Sequence, residues 1–127
     1  MFISTFPMAA IRKTRLEAGE ACLIMGLGLL GQFAVRLARA AGTVPVVACD
    51  IVESRRRDAL EGGADYAFDP YEEGFFEKVR DVTGGGAQTA VEVTGMGEEL
   101  NEVLDCMRPL GRVALLGCTR SSNFTID

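Results

Sequence analysis

The chain has 127 residues, enough for one domain with a core of its own and too few for two. Hydrophobic residues make up 48% of it and charged residues 24%, which is the composition of a soluble globular domain. The net charge of −5 and the pI of about 4.8 argue against nucleic acid and against an anionic membrane surface as partners.

The sequence gives no sign of export or of a membrane span. No run approaches the roughly 18 to 20 consecutive apolar residues that a spanning helix needs. The mildly apolar residues 1–10 precede the first positive charges, whereas a secretory signal has the opposite order. We therefore expect a cytoplasmic protein with no membrane partner.

The cysteine pattern predicts buried, reduced thiols rather than disulfides. No two cysteines are close in sequence, and three of the four fall inside apolar runs. The four are Cys22, Cys49, Cys106 and Cys118. The sequence contains no histidine.

Short apolar runs alternate with amphipathic segments from residue 21 onward. Residues 21–25 form a continuous apolar run, as expected for a strand covered on both faces. After a glycine-rich turn, apolar residues at helical spacing predict an amphipathic helix ended by Gly42. Its apolar face carries Leu30, Phe33, Ala34, Leu37, Ala38 and Ala41, and its opposite face carries Gln32, Arg36 and Arg39.

The second strand and the second helix follow directly. Residues 44–49 predict a strand closed by Asp50, with Pro45 near its start, where no ladder donor is required. Residues 53–61 predict a helix stopped by a glycine pair. Its arginine cluster, residues 55–57, is interpreted as a solvated face, since it is shorter than the usual nucleic-acid patch.

A third strand and a third helix continue the alternation. Residues 66–68 predict a short strand, and Asp69 and Pro70 turn the chain. The apolar positions of the next helix are Phe75, Phe76, Val79 and Val82, and the helix ends at the glycines 84–86.

The last elements repeat the pattern once more. Residues 89–93 predict a fourth strand, and residues 112–116 a fifth. Between them we expect a helix with Arg108 near its C-terminal end, stopped by Pro109. One face of this helix carries Leu100, Val103, Leu104 and Met107.

These elements predict an α/β fold in a single domain spanning residues 1–127. Crossover connections between parallel strands are right-handed almost without exception. Four in a row therefore imply a doubly wound parallel sheet of the Rossmann type, with strand order 3-2-1-4-5.

The chemistry lies in the turn after the first strand, where residues 26–31 fit the pattern GxGxxG. The pattern alone is weak, but here it follows a buried strand, opens a helix and precedes Asp50, which comes 19 residues after Gly31. Gly26 permits the tight turn, Gly28 lets a pyrophosphate approach the backbone, and Gly31 lets the helix pack closely. The helix N-terminus favours the diphosphate, and Asp50 is placed to accept hydrogen bonds from the adenosine ribose hydroxyls.

Several segments together resemble one family. They are Gly19-Glu20, CLIMGLGLLGQFAVRLARAAG, VVACD, SRRRDALEGGADYAFDP, AVEVTG and MRPLGRVALLG. In this order they resemble the coenzyme domain of zinc-type, medium-chain alcohol and polyol dehydrogenases, from about Ala9 to the end. The resemblance implies an NAD-binding domain of an oxidoreductase that transfers hydride between an alcohol and NAD.

The resemblance also implies further contacts with the cofactor. Arg55 matches a basic residue that helps to hold the adenosine ribose. Thr94 and Gly95 match a segment beside the nicotinamide ribose, and Leu116 and Gly117 match one at the nicotinamide end. The predicted cofactor-binding residues are thus Gly26, Leu27, Gly28, Leu29, Leu30, Gly31, Asp50, Ile51, Arg55, Thr94, Gly95, Leu116 and Gly117.

The chain departs from the family at the metal sites. The family's catalytic zinc needs cysteine and histidine ligands from another domain, and its structural zinc needs clustered cysteines. This sequence has no histidine and no cluster of cysteines, so it can form neither site. We therefore expect a fragment that binds the dinucleotide without a metal or a catalytic residue of its own, while zinc belongs to the full-length parent. The resemblance implies that the parent forms a homo-oligomer through this domain. It does not identify which alcohol is the substrate.

Two other functions remain as alternatives. A methyltransferase that uses S-adenosylmethionine also has a glycine loop after its first strand, but an acid usually precedes the first glycine, where this chain has Met25. A non-catalytic sensor of NADH would share every cofactor-binding residue and would also lack the zinc-binding part.

Overall fold

A computed structural model describes residues 19–93 and 106–115 of the chain. Its elements in chain order are β1 (Cys22–Met25), α1 (Leu29–Ala40), β2 (Val46–Cys49), α2 (Glu53–Glu61), β3 (Tyr66–Phe68), α3 (Phe75–Thr83), β4 (Ala87–Glu92) and β5 (Met107–Leu115). Strands and helices alternate from β1 to β4, as the sequence predicts.

The five strands form one parallel sheet in the order β3-β2-β1-β4-β5. This confirms the predicted strand order. At the centre, Met25 is in register with Cys49 on β2 and with Glu92 on β4. The carboxyl ends of three strands therefore meet at one edge of the sheet, where ligands bind in open α/β sheets.

The core has two layers because successive side chains of β1 point to opposite faces of the sheet. Cys22 and Ile24 pack with residues of α1 and α2 on one face. Leu23 and Met25 pack with residues of α3 on the other. All four side chains are at most 1% exposed, which explains why the strand reads as a continuous apolar run.

The end of α3 is fixed by one threonine and a left-handed glycine. Gly84 caps the helix at φ +71°, a conformation that favours glycine. The Thr83 hydroxyl donates to the Val79 carbonyl at 2.6 Å and accepts a hydrogen bond from the Gly86 N–H at 3.0 Å. Thr83 is buried, so its hydroxyl satisfies a backbone donor that water cannot reach.

The element boundaries differ slightly from the prediction at three strands, the first of which, β1, begins at Cys22 instead of residue 21. Residues 44 and 45 lie outside β2, which begins at Val46, because Pro45 has no N–H to donate to the ladder. The fourth strand begins at Ala87, two residues earlier than predicted.

The larger error concerns Met107, Arg108 and Pro109, which were predicted to end a helix. The structure includes them in β5, which runs over Met107–Leu115 instead of residues 112–116. Ala87 pairs with Met107, and the ladder then shifts register before Thr89 pairs with Arg112. Pro109 lies within this irregular stretch, where a strand tolerates a residue without a donor. The part of the predicted helix before Cys106 lies outside the described residues.

Cys22, Cys49 and Cys106 are buried, reduced thiols, as predicted, and Cys118 lies outside the described residues. Burial raises the pKa of the Cys22 thiol to about 12; the Thr89 side chain partly opposes this and Glu20 adds to it. Within residues 19–93 and 106–115, no helix is long and apolar enough to cross a membrane.

Candidate functional site

The turn between β1 and α1 is built by two glycines that touch. Gly26 has φ +99°, and its N–H donates to the Cys49 carbonyl at 2.8 Å, which ties the end of β1 to the end of β2. A Cβ on Gly31 would overlap the Gly26 carbonyl oxygen. The first turn of α1 therefore lies directly on the end of β1, and only glycine fits there.

Gly28 differs from these two because it faces open space. It caps the N-terminus of α1 with φ −70° and ψ −161°, an extended conformation that any residue can adopt. A Cβ added at Gly28 would meet no atom within 4 Å. The space in front of this backbone is thus free for a ligand at the helix N-terminus, where unpaired N–H groups favour an anion.

Asp50 lies at the end of β2 and faces the same turn. Its Oδ2 accepts a hydrogen bond from the Leu27 N–H at 2.7 Å, and its Oδ1 accepts one from the Val52 N–H at 2.9 Å. The residue is 8% exposed. Both carboxylate oxygens are thus held by backbone donors, which fix the carboxylate at the rim of the site and leave lone pairs for further donors.

Two arginines of α2 lie beside this carboxylate. Arg55 Nη1 is 3.8 Å from Asp50 Oδ2, and its side chain is 53% exposed. Arg56 Nη1 donates to the backbone carbonyl of Asp50 at 2.8 Å. Arg55 is therefore largely exposed to solvent, as predicted, and it also contacts the Asp50 carboxylate. Arg56 holds the backbone at the end of β2 by its hydrogen bond.

Gln32 takes part in the site although the sequence assigned it to the polar face of α1. Its Nε2 donates to the Leu27 carbonyl at 3.1 Å and to the Arg55 carbonyl at 3.0 Å. Helical spacing shows only which face of α1 a residue is on. It could not show that this face meets the glycine turn and α2.

A cavity of about 520 Å³ lies in front of these groups, a size suited to a small-molecule ligand. Eight of the predicted site residues line it: Gly26, Leu27, Gly28, Leu29, Leu30, Asp50, Ile51 and Arg55. Gly31 does not line it and instead packs under the turn. Thr94, Gly95, Leu116 and Gly117 lie outside the described residues.

Five further residues line the cavity without having been predicted as site residues: Met25, Cys49, Pro70, Tyr71 and Val93. The sequence identified Pro70 only as part of a turn. Pro70 and Tyr71 follow the end of β3, and carboxyl ends of neighbouring parallel strands share one edge of the sheet. The position of Pro70 and Tyr71 after β3, at that shared edge, is the feature from which they could have been predicted. Tyr71 is 62% exposed, as is fitting for a residue at the mouth of a cavity.

The residues of the cavity suit a dinucleotide better than a metal ion. An open backbone at a helix N-terminus and a fixed carboxylate match a diphosphate and a ribose. Within the described part of the chain, no group of three or more histidine, cysteine, aspartate or glutamate side chains is placed to hold a metal ion. The residues described here therefore do not fit a zinc site of the usual ligand set.

Comparison with known proteins gives a consistent result. A family model described as zinc-binding dehydrogenase matches residues 30–126. L-threonine 3-dehydrogenase of Pyrococcus furiosus is 40% identical over 101 residues, which are 79% of this chain and 29% of that protein. The chain thus spans about a third or less of the length of the curated relatives it matches first.

Two solved structures show the same fold. Benzyl alcohol dehydrogenase from Acinetobacter calcoaceticus superposes with a TM-score of 0.89 at 28% identity, covering 98% of this chain and 34% of that one. A structure from Sinorhizobium meliloti 1021, solved with NADP bound, superposes with a TM-score of 0.83 at 25% identity and covers 98% and 38% of the two chains.

Proposed function

The chain belongs to the zinc-binding dehydrogenase family, and on that premise we propose that it is the NAD-binding domain of a zinc-type alcohol or polyol dehydrogenase. Its relatives are oxidoreductases with different substrates, among them L-threonine and benzyl alcohol dehydrogenases. The chain corresponds to only part of each of them. Activity on an alcohol, with zinc as the metal, is therefore proposed for a protein with the relatives' other parts, and homo-oligomer formation is proposed for the same protein.

The proposal rests on one arrangement: the open backbone at Gly28 and the fixed carboxylate of Asp50 line the same cavity. Gly28 leaves room for a diphosphate at the N-terminus of α1. Asp50 presents its carboxylate from the end of the adjacent strand, joined to the turn through the Leu27 N–H. A dinucleotide has a ribose next to its diphosphate, so these two groups bind neighbouring parts of one ligand.

We propose further that the domain prefers NAD to NADP. The Asp50 carboxylate is a charged acceptor for the 2′-hydroxyl of NAD, a contact that contributes on the order of 1.5 to 3 kcal/mol. Toward the 2′-phosphate of NADP, the same carboxylate is a like charge at short range. Arg55 opposes this effect, but its side chain is 53% exposed and lies beside the carboxylate that it partly neutralises. The Sinorhizobium meliloti relative was solved with NADP bound. The affinities of the present chain for NADH and NADPH therefore test the proposed preference directly.

The chain's own residues would bind and orient the cofactor. When bound, NAD supplies the nicotinamide ring that accepts the hydride. The described residues hold the adenosine half: the turn at Gly28 receives the diphosphate, and Asp50 receives the ribose. No step that activates the alcohol is assigned to these residues.

The two alternatives fare differently. Membership of a dehydrogenase family leaves no support for the methyltransferase. A non-catalytic sensor of NADH would use the same cofactor-binding residues, and no described feature of the site favours it over a dehydrogenase domain.

The experiment that tests the proposal is calorimetric titration of the full chain with NADH, NADPH and S-adenosylmethionine. We expect binding of NADH, weaker binding of NADPH and none of S-adenosylmethionine. If NADH does not bind, the proposed function is wrong; if S-adenosylmethionine binds and NADH does not, the methyltransferase replaces it.

A further inference from the structure

The amide of Gln32 joins two segments of the cavity wall. Gln32 lies in the first turn of α1, and its Nε2 donates to the carbonyl oxygens of Leu27 at 3.1 Å and of Arg55 at 3.0 Å. Its backbone N–H donates to the Gly28 carbonyl at 2.9 Å. One residue thus contacts the glycine turn twice and the first turn of α2 once.

The contact with Leu27 determines the direction of a neighbouring donor. The carbonyl of Leu27 and the N–H of Gly28 belong to the same peptide unit. Because a trans peptide is planar, that N–H points away from the oxygen that Gln32 holds. The Gln32 side chain therefore orients the Gly28 N–H, which points to the opposite side of the turn.

Leu27 is held from both sides. Its N–H donates to Asp50 Oδ2 at 2.7 Å, and its carbonyl accepts from Gln32. Both peptide units of Leu27 are therefore fixed by side chains outside the turn, and the residue is only 1% exposed. The Gln32 Oε1 atom is buried and has no hydrogen-bond partner among the described residues, so the amide is oriented by its two donor bonds alone.

We propose that Gln32 is a positioning residue for the dinucleotide: it fixes the Leu27–Gly28 peptide for the diphosphate and couples it to the segment at Arg55, beside the acid that faces the ribose. The inference rests on the proposed function. Gln32 acts through the backbone and contacts no cofactor atom in this role. Its removal should therefore weaken binding of the diphosphate more than binding of the nucleoside.

The test compares two glutamine variants of the full chain. Gln32→Met keeps the length of the side chain and removes both donors. Gln88→Met is the matched control, since Gln88 Oε1 accepts from the Ala21 N–H at 2.8 Å, at the end of β1 away from the glycine turn. Dissociation constants for ADP and adenosine are measured by NMR titration. We expect Gln32→Met to weaken ADP about five- to tenfold more than adenosine, as for the loss of one or two neutral hydrogen bonds.

A second measurement needs no ligand. In the free chain, the Leu27 amide, which donates to Asp50, should exchange with deuterium faster in Gln32→Met than in the wild type, and at the wild-type rate in Gln88→Met. If Gln32→Met does not fold, Gln32→Ala takes its place, because alanine favours the helix.

The outcomes separate the two proposals. If the wild-type chain binds ADP but Gln32→Met weakens ADP and adenosine equally, or leaves amide exchange unchanged, the role of Gln32 is refuted and the proposed function stands. If the wild-type chain binds neither ADP nor NADH, the proposed function fails and the role of Gln32 fails with it.

Discussion

The Leu27 N–H donates to the Asp50 carboxylate at 2.7 Å, so the glycine turn proposed for the diphosphate and the acid proposed for the ribose are joined directly by a hydrogen bond. In dinucleotide-binding folds of this type, an acid at this position accepts hydrogen bonds from the ribose. Here it also holds the backbone of the turn, and a change at Asp50 should affect both halves of the site.

The contrast between two glycines gives the first prediction. Gly28→Val should weaken NADH binding by about a hundredfold or more, because a side chain there fills the space in which charged hydrogen bonds to the diphosphate form. The fold should survive, since a Cβ at Gly28 meets no atom within 4 Å. Calorimetry measures the binding, and circular dichroism checks the fold.

Gly31→Ala is the comparison for that variant. Its Cβ would overlap the Gly26 carbonyl, and such overpacking costs about 1 to 3 kcal/mol of folding free energy. We expect a melting temperature several degrees lower, whereas Gly28→Val melts close to the wild type. Equal melting temperatures for the two variants would contradict this assignment of the glycines.

A substitution at Asp50 tests the choice of cofactor. Asp50→Ser should lower affinity for NADH more than for NADPH, because it removes both a ribose acceptor and a charge that repels the 2′-phosphate. The wild type should favour NADH by roughly a hundredfold, since two terms of more than 1 kcal/mol act in the same direction. The ratio of the two dissociation constants is measured by fluorescence titration.

Asp50→Asn separates charge from hydrogen bonding in this experiment. It removes the charge but keeps one acceptor oxygen for the Leu27 N–H or the ribose. Its affinity for NADH should lie between those of the wild type and Asp50→Ser. An unchanged NADH to NADPH ratio in Asp50→Ser would show that this carboxylate does not select the cofactor.

The buried thiol of Cys22 predicts a loss of stability in alkali. Its pKa is raised to about 12 in the folded chain, against an ordinary value of 9.0. The unfolded chain therefore loses this proton first, and the stabilising effect, fully present below pH 9, is lost as the pH rises toward 12. Between these values the free energy of unfolding should fall by on the order of 1 kcal/mol per pH unit through this group.

Cys22→Ala removes that contribution and serves as the control. Urea denaturation at several pH values from neutral to strongly alkaline should give a shallower decline for Cys22→Ala than for the wild type. Identical slopes would mean that the Cys22 thiol ionises as readily in the folded chain as in the unfolded one.

The threonine at the end of α3 supports the start of β4. Thr83→Val keeps the shape of the side chain but leaves the buried Gly86 N–H without the hydroxyl that accepts it. The cost should be about 0.5 to 1.5 kcal/mol of unfolding free energy, the net contribution of one lost hydrogen bond. Thr83→Ser keeps the hydroxyl and should lose clearly less; chemical denaturation of both variants makes the comparison.

The features that the sequence predicts correctly depend on short stretches of chain. The run of residues 21–25, the glycine turn and Asp50 follow one another within one β-α-β unit, so spacing alone relates them. The beginning of β5 could not be predicted in this way. Met107 joins the sheet because it pairs with Ala87, and helical periodicity carries no information about strand pairing.

The candidate site likewise contains residues that a local motif predicts and residues that it does not. Gly28 and Asp50 were found from a motif, while Pro70 and Tyr71 were missed because they reach the cavity from a different strand end. Gln32 was missed for another reason: its pattern is that of an ordinary polar helix residue. Its proposed role depends on the direction in which a single side-chain amide points, which the sequence does not specify.

The position of β1 at the centre of the sheet has a consequence for the order of folding. The Leu27–Asp50 hydrogen bond joins residues 23 apart in sequence, whereas the bond from the Thr89 hydroxyl to the Ala21 carbonyl joins residues 68 apart. Closing the longer loop costs about 1 kcal/mol more entropy, and distant contacts form later. During synthesis, the β1-α1-β2 unit also leaves the ribosome before β4 does. We therefore expect the glycine turn and its acid to assemble early in folding, with β4 docking afterwards to complete the sheet.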